Sequence, residues 1–355
     1  MKKHLSIFLA SLLLAASITG CSSKPSENTP ETSAPVTDST AESAASDTET
    51  PQPAQQSPDT VRVYTLKGPT GMGMSKMISD AKAENADTPY EFTIASSPDE
   101  VAAEIIKGAY DIAALPTNLA AVLYNKTEGA LFVGAVNTLG VLYVLENGNS
   151  VQTISDLNGK TLYATGQAST PEYILNYILE TNKIDCKVEY LTEHAELASQ
   201  MAAGTVTLGM LPVPNSTTVL ANNKDVRIAL NLTEEWTKAA EKNNDNSALY
   251  QGCIVIRREF AEQYPSAVKA FLSDYRNSVD YVNQNHSDAA QLIADCGIVP
   301  AAGVALKALP DANIVFIAGE EMKSGLKGFY QVLFNSNPAA VGGKLPDDNI
   351  YYIEE

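Results

Sequence analysis

From Val61 onward the chain alternates short apolar runs with segments whose apolar residues recur at helical spacing. VRVYTL reads as a strand, GPTGMG as a turn and MSKMISDAKAEN as a helix. YEFTIAS follows as a strand and DEVAAEIIKGA as a helix with Asp99 near its start. YDIAALP is a third strand, and TNLAAVLYNK a helix opened by Thr117 or Asn118. LFVGAVNTLGVLYVL is one long apolar stretch. Strands alternating with helices of about ten residues predict a parallel-rich sheet with helices on both faces.

The pattern recurs 96 residues later, where EVAAEIIKGAYDIAALPTN (100–118) aligns without a gap against ELASQMAAGTVTLGMLPVP (196–214). Glu100, Ala102, Gly108, Leu115 and Pro116 meet Glu196, Ala198, Gly204, Leu211 and Pro212. Upstream, Thr65-Leu66 meets Thr161-Leu162, and the GPTGMG turn meets ATGQAS (164–169). VRIALNLTEEW (226–236), a polar stretch and the strand CIVIR follow. The tail from Arg258 is mainly helical and holds no third α/β unit, so it packs most economically on the first lobe. The predicted fold is α/β and two-lobed, with chain crossings near 139–149 and 231–252. Lobe 1 is then 61–145 with 252–355, and lobe 2 is 146–251.

Residues 1–60 break the pattern. Met1-Lys2-Lys3 and LSIFLASLLLAAS form an export signal, too short for a stable membrane span. Ile18-Thr19-Gly20-Cys21 resembles a bacterial lipobox, which implies lipidation of Cys21 with diacylglycerol and palmitate and an anchor on the extracytoplasmic face. Residues 22–60 carry seven acids, one base and Val36 as the only large aliphatic. Such a segment buries too little apolar surface to offset its chain entropy, so it is expected to act as a disordered tether. Its ends lie roughly 35 Å apart as a flexible coil. Ser22 and the long leash favour a Gram-positive cell surface.

Charge and cysteines narrow the partners. The 24 Lys+Arg against 42 Asp+Glu give a net charge of -18, with -14 on residues 61–355. No basic patch for nucleic acid is expected. Beyond Cys21 there are three cysteines, Cys186, Cys253 and Cys296, so a disulfide framework is not expected, although one bridge is open. With His194 and His286 they show no zinc spacing, and neither a metal nor a cofactor is expected.

In open α/β sheets a ligand sits beyond the carboxyl ends of the strands, against loops that open helices. The first such loop is Gly68, Pro69, Thr70, Gly71, Met72 and Gly73, whose glycines let the backbone approach a ligand. It is not a P-loop, because no Lys follows at the required spacing. On this reading Gly71→Val abolishes binding without unfolding the protein. The counterpart in lobe 2 offers Thr165, Gln167, Ser169 and Thr170, with Pro171 placed for the first helical turn. Ser96, Ser97, Pro116, Thr117, Asn118, Pro212 and Asn215 occupy other strand ends. Asn137 and Thr138 are a polar pair inside an apolar run, placed to face the cleft. Trp236 offers a stacking platform or plain packing; Tyr64, Met72, Met74 and Tyr250 offer apolar surface or core. His194 reads as a ligand contact or, by preference, as a solvated residue at a helix start.

The body also resembles the solute-binding proteins of bacterial ABC importers, in the group of aliphatic-sulfonate, taurine and nitrate binders and thiamine-pyrimidine relatives. SDLNGKTLYATGQASTPEYILNYILE (155–180) is similar to that group's start of the second lobe. EFAEQYPSAVKAFLSDYRNSVDYVNQNHSDAAQLIADCGI (259–298) is similar to its late helical pair, and DIAALPTNLA to a strand end that contacts ligand. The resemblance implies a type II periplasmic-binding-protein fold with two hinge crossovers. It implies a monomeric, non-enzymatic lipoprotein that captures a small molecule by lobe closure and delivers it to a permease with its ATPase. Alternatives are an enzyme of thiamine-pyrimidine or menaquinone-precursor type, or a lipid-anchored sensor or adhesin. Because the candidate loops hold no base beyond Lys67, a neutral or weakly charged, partly planar metabolite is favoured over a sulfate-like anion.

Overall fold

A computed structural model describes residues 57–245 and 247–354. The expected signal sequence, Cys21 and residues 22–56 of the tether lie outside the described residues. The first lobe opens with β1 (Val61–Leu66), α1 (Pro69–Met72), α2 (Ser75–Lys82), β2 (Tyr90–Ala95), α3 (Pro98–Ile106), β3 (Ile112–Pro116), α4 (Thr117–Lys126) and β4 (Leu131–Thr138). Then come β5 (Leu142–Asn147), β6 (Thr161–Thr165), α5 (Thr170–Asn182), β7 (Lys187–Leu191), α6 (His194–Ala202), β8 (Leu208–Pro212), α7 (Asn215–Asn222), β9 (Val226–Asn231) and α8 (Leu232–Lys242). The chain ends with β10 (Gly252–Arg257), α9 (Arg258–Gln263), α10 (Pro265–Gln284), α11 (His286–Asp295), α12 (Ala302–Ala308), β11 (Ile314–Ile317) and α13 (Gly319–Ser336).

These strands form two sheets, β11-β4-β10-β3-β1-β2 and β7-β6-β8-β5-β9. β1 runs parallel to β2 and β3, while β10 lies antiparallel between β3 and β4. β6 runs parallel to β7 and β8, while β5 lies antiparallel between β8 and β9. The two lobes therefore share one plan. β5 and β10 are the first strands after each crossover. A chain arriving at the carboxyl ends of a lobe's strands must run back along them, so each is antiparallel to its neighbours. β11 adds an antiparallel edge to the first sheet.

The long apolar stretch is thus two strands in different sheets, and the first crossover is only Leu139–Val141. The boundary expected at 145/146 falls inside β5. No polar break marks the true position, because β4 and β5 are both buried on both faces. The GPTGMG turn is the short helix α1 instead. The repeat holds where it was gap-free: α3–β3 and α6–β8 lie 96 residues apart, and Gly108 and Gly204 after the helices have φ of 76° and 77°. Upstream it slips. Tyr64 pairs Thr93 and Ala113, and Tyr163 pairs Glu189 and Gly209, so β1 and β6 are equivalent at a spacing of 99.

The tail supplies β10 and β11 to the first sheet, and the Tyr352 amide donates to the Val133 carbonyl at 2.9 Å. α13 also packs on α5 of the second lobe. Two apolar cores result, and each contains residues of both lobes: Leu115 with Ile174 and Trp236 in one, Met72 with Leu145 and Leu197 in the other. Cys186, Cys253 and Cys296 are free thiols. Among the described residues no helix is long and apolar enough to cross a membrane.

Candidate functional site

The carboxyl ends of β3 and β6 bring two helix starts together across the lobes. α4 begins at Thr117 immediately after β3, and α5 at Thr170 after the loop from β6. The Thr170 hydroxyl donates to Asn118 Oδ1 at 2.6 Å, and both side chains are buried. Two helices of ten and thirteen residues thus point their positive ends at one seam. Asn118 and Thr170, singled out from different lobes, are partners.

The loop from β6 is held from within. Ser169 Oγ donates to the Gly166 carbonyl at 2.8 Å, Tyr173 OH to the Ala168 carbonyl at 3.3 Å, and the Ala168 amide to the Glu172 carboxylate. Gln167 stands exposed at its tip. Thr165 Oγ1 is hydrogen-bonded to His194 Nδ1 at 2.6 Å at the start of α6. Burial lowers the His194 pKa, which the nearby Glu193 opposes. The expected solvated histidine is instead half-buried and favours the neutral ring.

On the first lobe, Thr117 is pinned through its backbone: its amide donates to the Gln251 carbonyl at 3.1 Å and its carbonyl accepts from Tyr330 OH at 3.2 Å. Its own hydroxyl is buried without a hydrogen-bond partner among the described residues. Thr138 Oγ1 donates to Asn137 Oδ1 at 3.1 Å, leaving the buried Asn137 amide nitrogen without one. The pair is therefore part of the floor beneath the strand ends rather than an exposed wall of a cleft. Pro116 pairs with Gly252 and Pro212 with Leu142, so each proline ends its strand beside the strand that follows a crossover. Pro212 and Asn215, at the start of α7, are half-buried.

Several candidates serve the fold instead. Gly71, Met72 and Gly73 are buried, and the Gly71 and Met72 amides both donate to the Gly68 carbonyl at 3.0 Å, closing the turn of α1. A Cβ at Gly71 would stand 2.1 Å from the Leu66 carbonyl oxygen, so Gly71→Val disrupts packing and does not isolate a ligand contact. Only Gly68, Pro69 and Thr70 keep partial exposure in this loop. Met74 is also enclosed, and Tyr64 stacks on Tyr110 at 4.3 Å. Ser97 caps α3 by accepting from the Asp99 amide at 3.3 Å, and Ser96 beside it is exposed. Trp236 is 0% exposed: Tyr177 and Phe329 lie at 4.4 and 5.5 Å, and its Nε1 donates to the Ser247 carbonyl at 3.1 Å. No ring face is free for a ligand, and the stacking platform is not there.

Gln251 joins these residues from just before β10. Its carbonyl accepts from Thr117, its amide donates to the Thr138 carbonyl at 2.9 Å, and its Oε1 accepts from the Val141 amide at 2.6 Å. One residue therefore joins both crossovers to α4 and β4. A single Gln before an apolar strand carries no linear signal of this.

Among families of known proteins, the one described as "ABC transporter, phosphonate, periplasmic substrate-binding protein" matches residues 77–302. No curated protein matches in sequence. Among solved structures, an ABC transporter protein from Parabacteroides distasonis is 23% identical with a TM-score of 0.71, covering 83% of this chain and 99% of its own. The periplasmic aliphatic sulphonate binding protein SsuA of Escherichia coli is 15% identical with a TM-score of 0.64, covering 84% and 94%. The alkanesulfonate-binding protein SsuA of Xanthomonas axonopodis pv. citri, bound to MOPS, is 14% identical with a TM-score of 0.60, covering 79% and 94%. At these identities the structures speak for a shared fold.

Proposed function

The chain belongs to the family of phosphonate ABC-transporter periplasmic substrate-binding proteins, and from that premise we propose that it captures a small oxyanion-bearing solute of phosphonate or sulfonate type between its lobes. As a member it is the extracytoplasmic substrate-binding component of an importer that works with a permease and an ATPase. The observation that carries the ligand reading is the meeting of α4 and α5 at Thr170 and Asn118. Helix starts and hydroxyls supply N–H and O–H donors and positive potential without a cationic side chain. Scarcity of Lys and Arg in the loops therefore does not weigh against an anion, and the enclosure of Trp236 removes the support for a planar ligand. In this reading the solute bridges the two helix starts, and closure follows from its tighter binding to the closed form. The monomer stays near its permease through a lipid on Cys21 and the tether of residues 22–60, on a Gram-positive surface.

Methylphosphonate and short alkanesulfonates are expected to raise the melting temperature and to bind saturably by calorimetry. Thr170→Val, which keeps the shape but loses the hydroxyl, is expected to weaken that binding at least about tenfold, or about 1.4 kcal/mol. Circular dichroism checks that the variant is folded. No shift with either anion class, or equal affinity in the variant, removes this reading.

A further inference from the structure

A groove of about 920 Å³ lies where the second half of α5 and the segment after α8 face α13, and its walls come from both lobes. α5 leaves the seam at Thr170 and reaches the groove at Tyr177, seven residues or about 10 Å farther along the helix. Its volume falls within the range of small-molecule sites.

The lining is one-sided in charge. Glu180 stands on α5, Asp245 after α8 and Glu321 on α13, and no Lys, Arg or His is among the described residues that line it. Glu180 and Glu321 have no ion-pair partner among the described residues. Asp245 accepts from Tyr177 OH and Ser247 Oγ, each at 2.5 Å, which fixes it at the wall. Tyr250 supplies an independent sign. It is 8% exposed and lines the groove, and its hydroxyl has no hydrogen-bond partner among the described residues. The side chain is enclosed, while its hydroxyl stays open to the groove and free to pair with a ligand.

The three carboxylates stand on three separate segments, α5, the stretch after α8 and α13. Among the described residues no three His, Cys, Asp or Glu side chains come together as a metal set. From Glu321 to Asn335, both on the groove, α13 rises about 21 Å. Gly325 and Gly328 leave its floor low, while the largely buried Tyr177, Tyr250 and Val332 edge it with a narrow apolar and aromatic margin. Separated negative charges with aromatic and apolar surface between them fit a chain of ammonium groups joined by methylenes. Each ammonium takes a carboxylate or hydroxyl, and the stems lie along the apolar margin.

We propose that this groove is a second ligand site, distinct from the seam, for a linear aliphatic polyamine that bridges the two lobes. The probe is spermidine, titrated into the full chain by calorimetry at physiological salt. The expected result is saturable one-to-one binding. Glu180→Gln with Glu321→Gln weakens it at least tenfold. Gly328→Leu, whose Cβ meets only the Ser247 Cβ and Cα at 3.6 and 3.7 Å, fills the floor and abolishes binding without changing charge. Circular dichroism and the urea midpoint verify that both variants fold. Absence of saturable heat overturns the proposal. So does binding that survives Gly328→Leu, because that is diffuse attraction to a chain of net charge -18.

Discussion

Thr165 and His194 hold each other at 2.6 Å in a place where burial disfavours the imidazolium. The native ring therefore has a pKa below the ordinary value of about 6.5. As pH falls from neutral through that ordinary value, the unfolded chain takes up a proton that the native ring refuses. Stability then declines with acidification, and the contribution levels off below the native pKa. The urea midpoint is expected to drop between pH 7.5 and 5.5, and His194→Gln is expected to shrink the drop. An equal drop in both proteins would assign the effect to other groups. LTEHAEL reveals a histidine near a helix start, but not that β6 lays a threonine against it. Trp236 and Met72 pose the same difficulty. Their residue types fit a ligand wall or a core equally well, and only the neighbours contributed by distant segments decide between the two.

At the level of elements, the longer units set by local spacing were legible, while the short α1 reads as a turn in the sequence. Helix, glycine, strand and proline recur because α3–β3 and α6–β8 are the same unit. The crossover was not legible, because its neighbours come from far along the chain. A Cβ on Gly140 would stand 2.0 Å from Thr233 Oγ1 and 2.7 Å from Leu249 Cδ2, which lie just after β9 and just before β10. Both crossovers thus pass so closely that one needs glycine. Gly140→Ala is expected to cost about 1–3 kcal/mol, as overpacking does. Thr233→Ala in the same chain removes the nearer obstacle and is expected to restore part of that loss. Such a pair is non-additive, whereas independent sites would simply sum in a double-mutant cycle. The Asn118–Thr170 contact was half legible in the same sense. Each residue stood out at a helix start, while their pairing needed the two lobes in place.

For the whole molecule, the question is whether two lobes behave as two folding units. Separate sheets argue for it, yet each apolar core runs through both lobes. The first crossover, Leu139–Val141, leaves only three residues of free chain, and Gln251 at the end of the second ties it to α4 and β4. β5 and β10 each sit in the interior of the sheet they enter, flanked by strands on both sides. Unfolding one lobe would expose the face of a core shared with the other and free an interior strand at the hinge. Neither lobe then has a low-energy half-unfolded state. Calorimetry is expected to show one transition for residues 57–354, with calorimetric and van't Hoff enthalpies in agreement. Two resolved transitions would mean that the shared cores contribute little. A single transition would make Gln251→Met, which removes the acceptor for Val141, lower the melting of both lobes together.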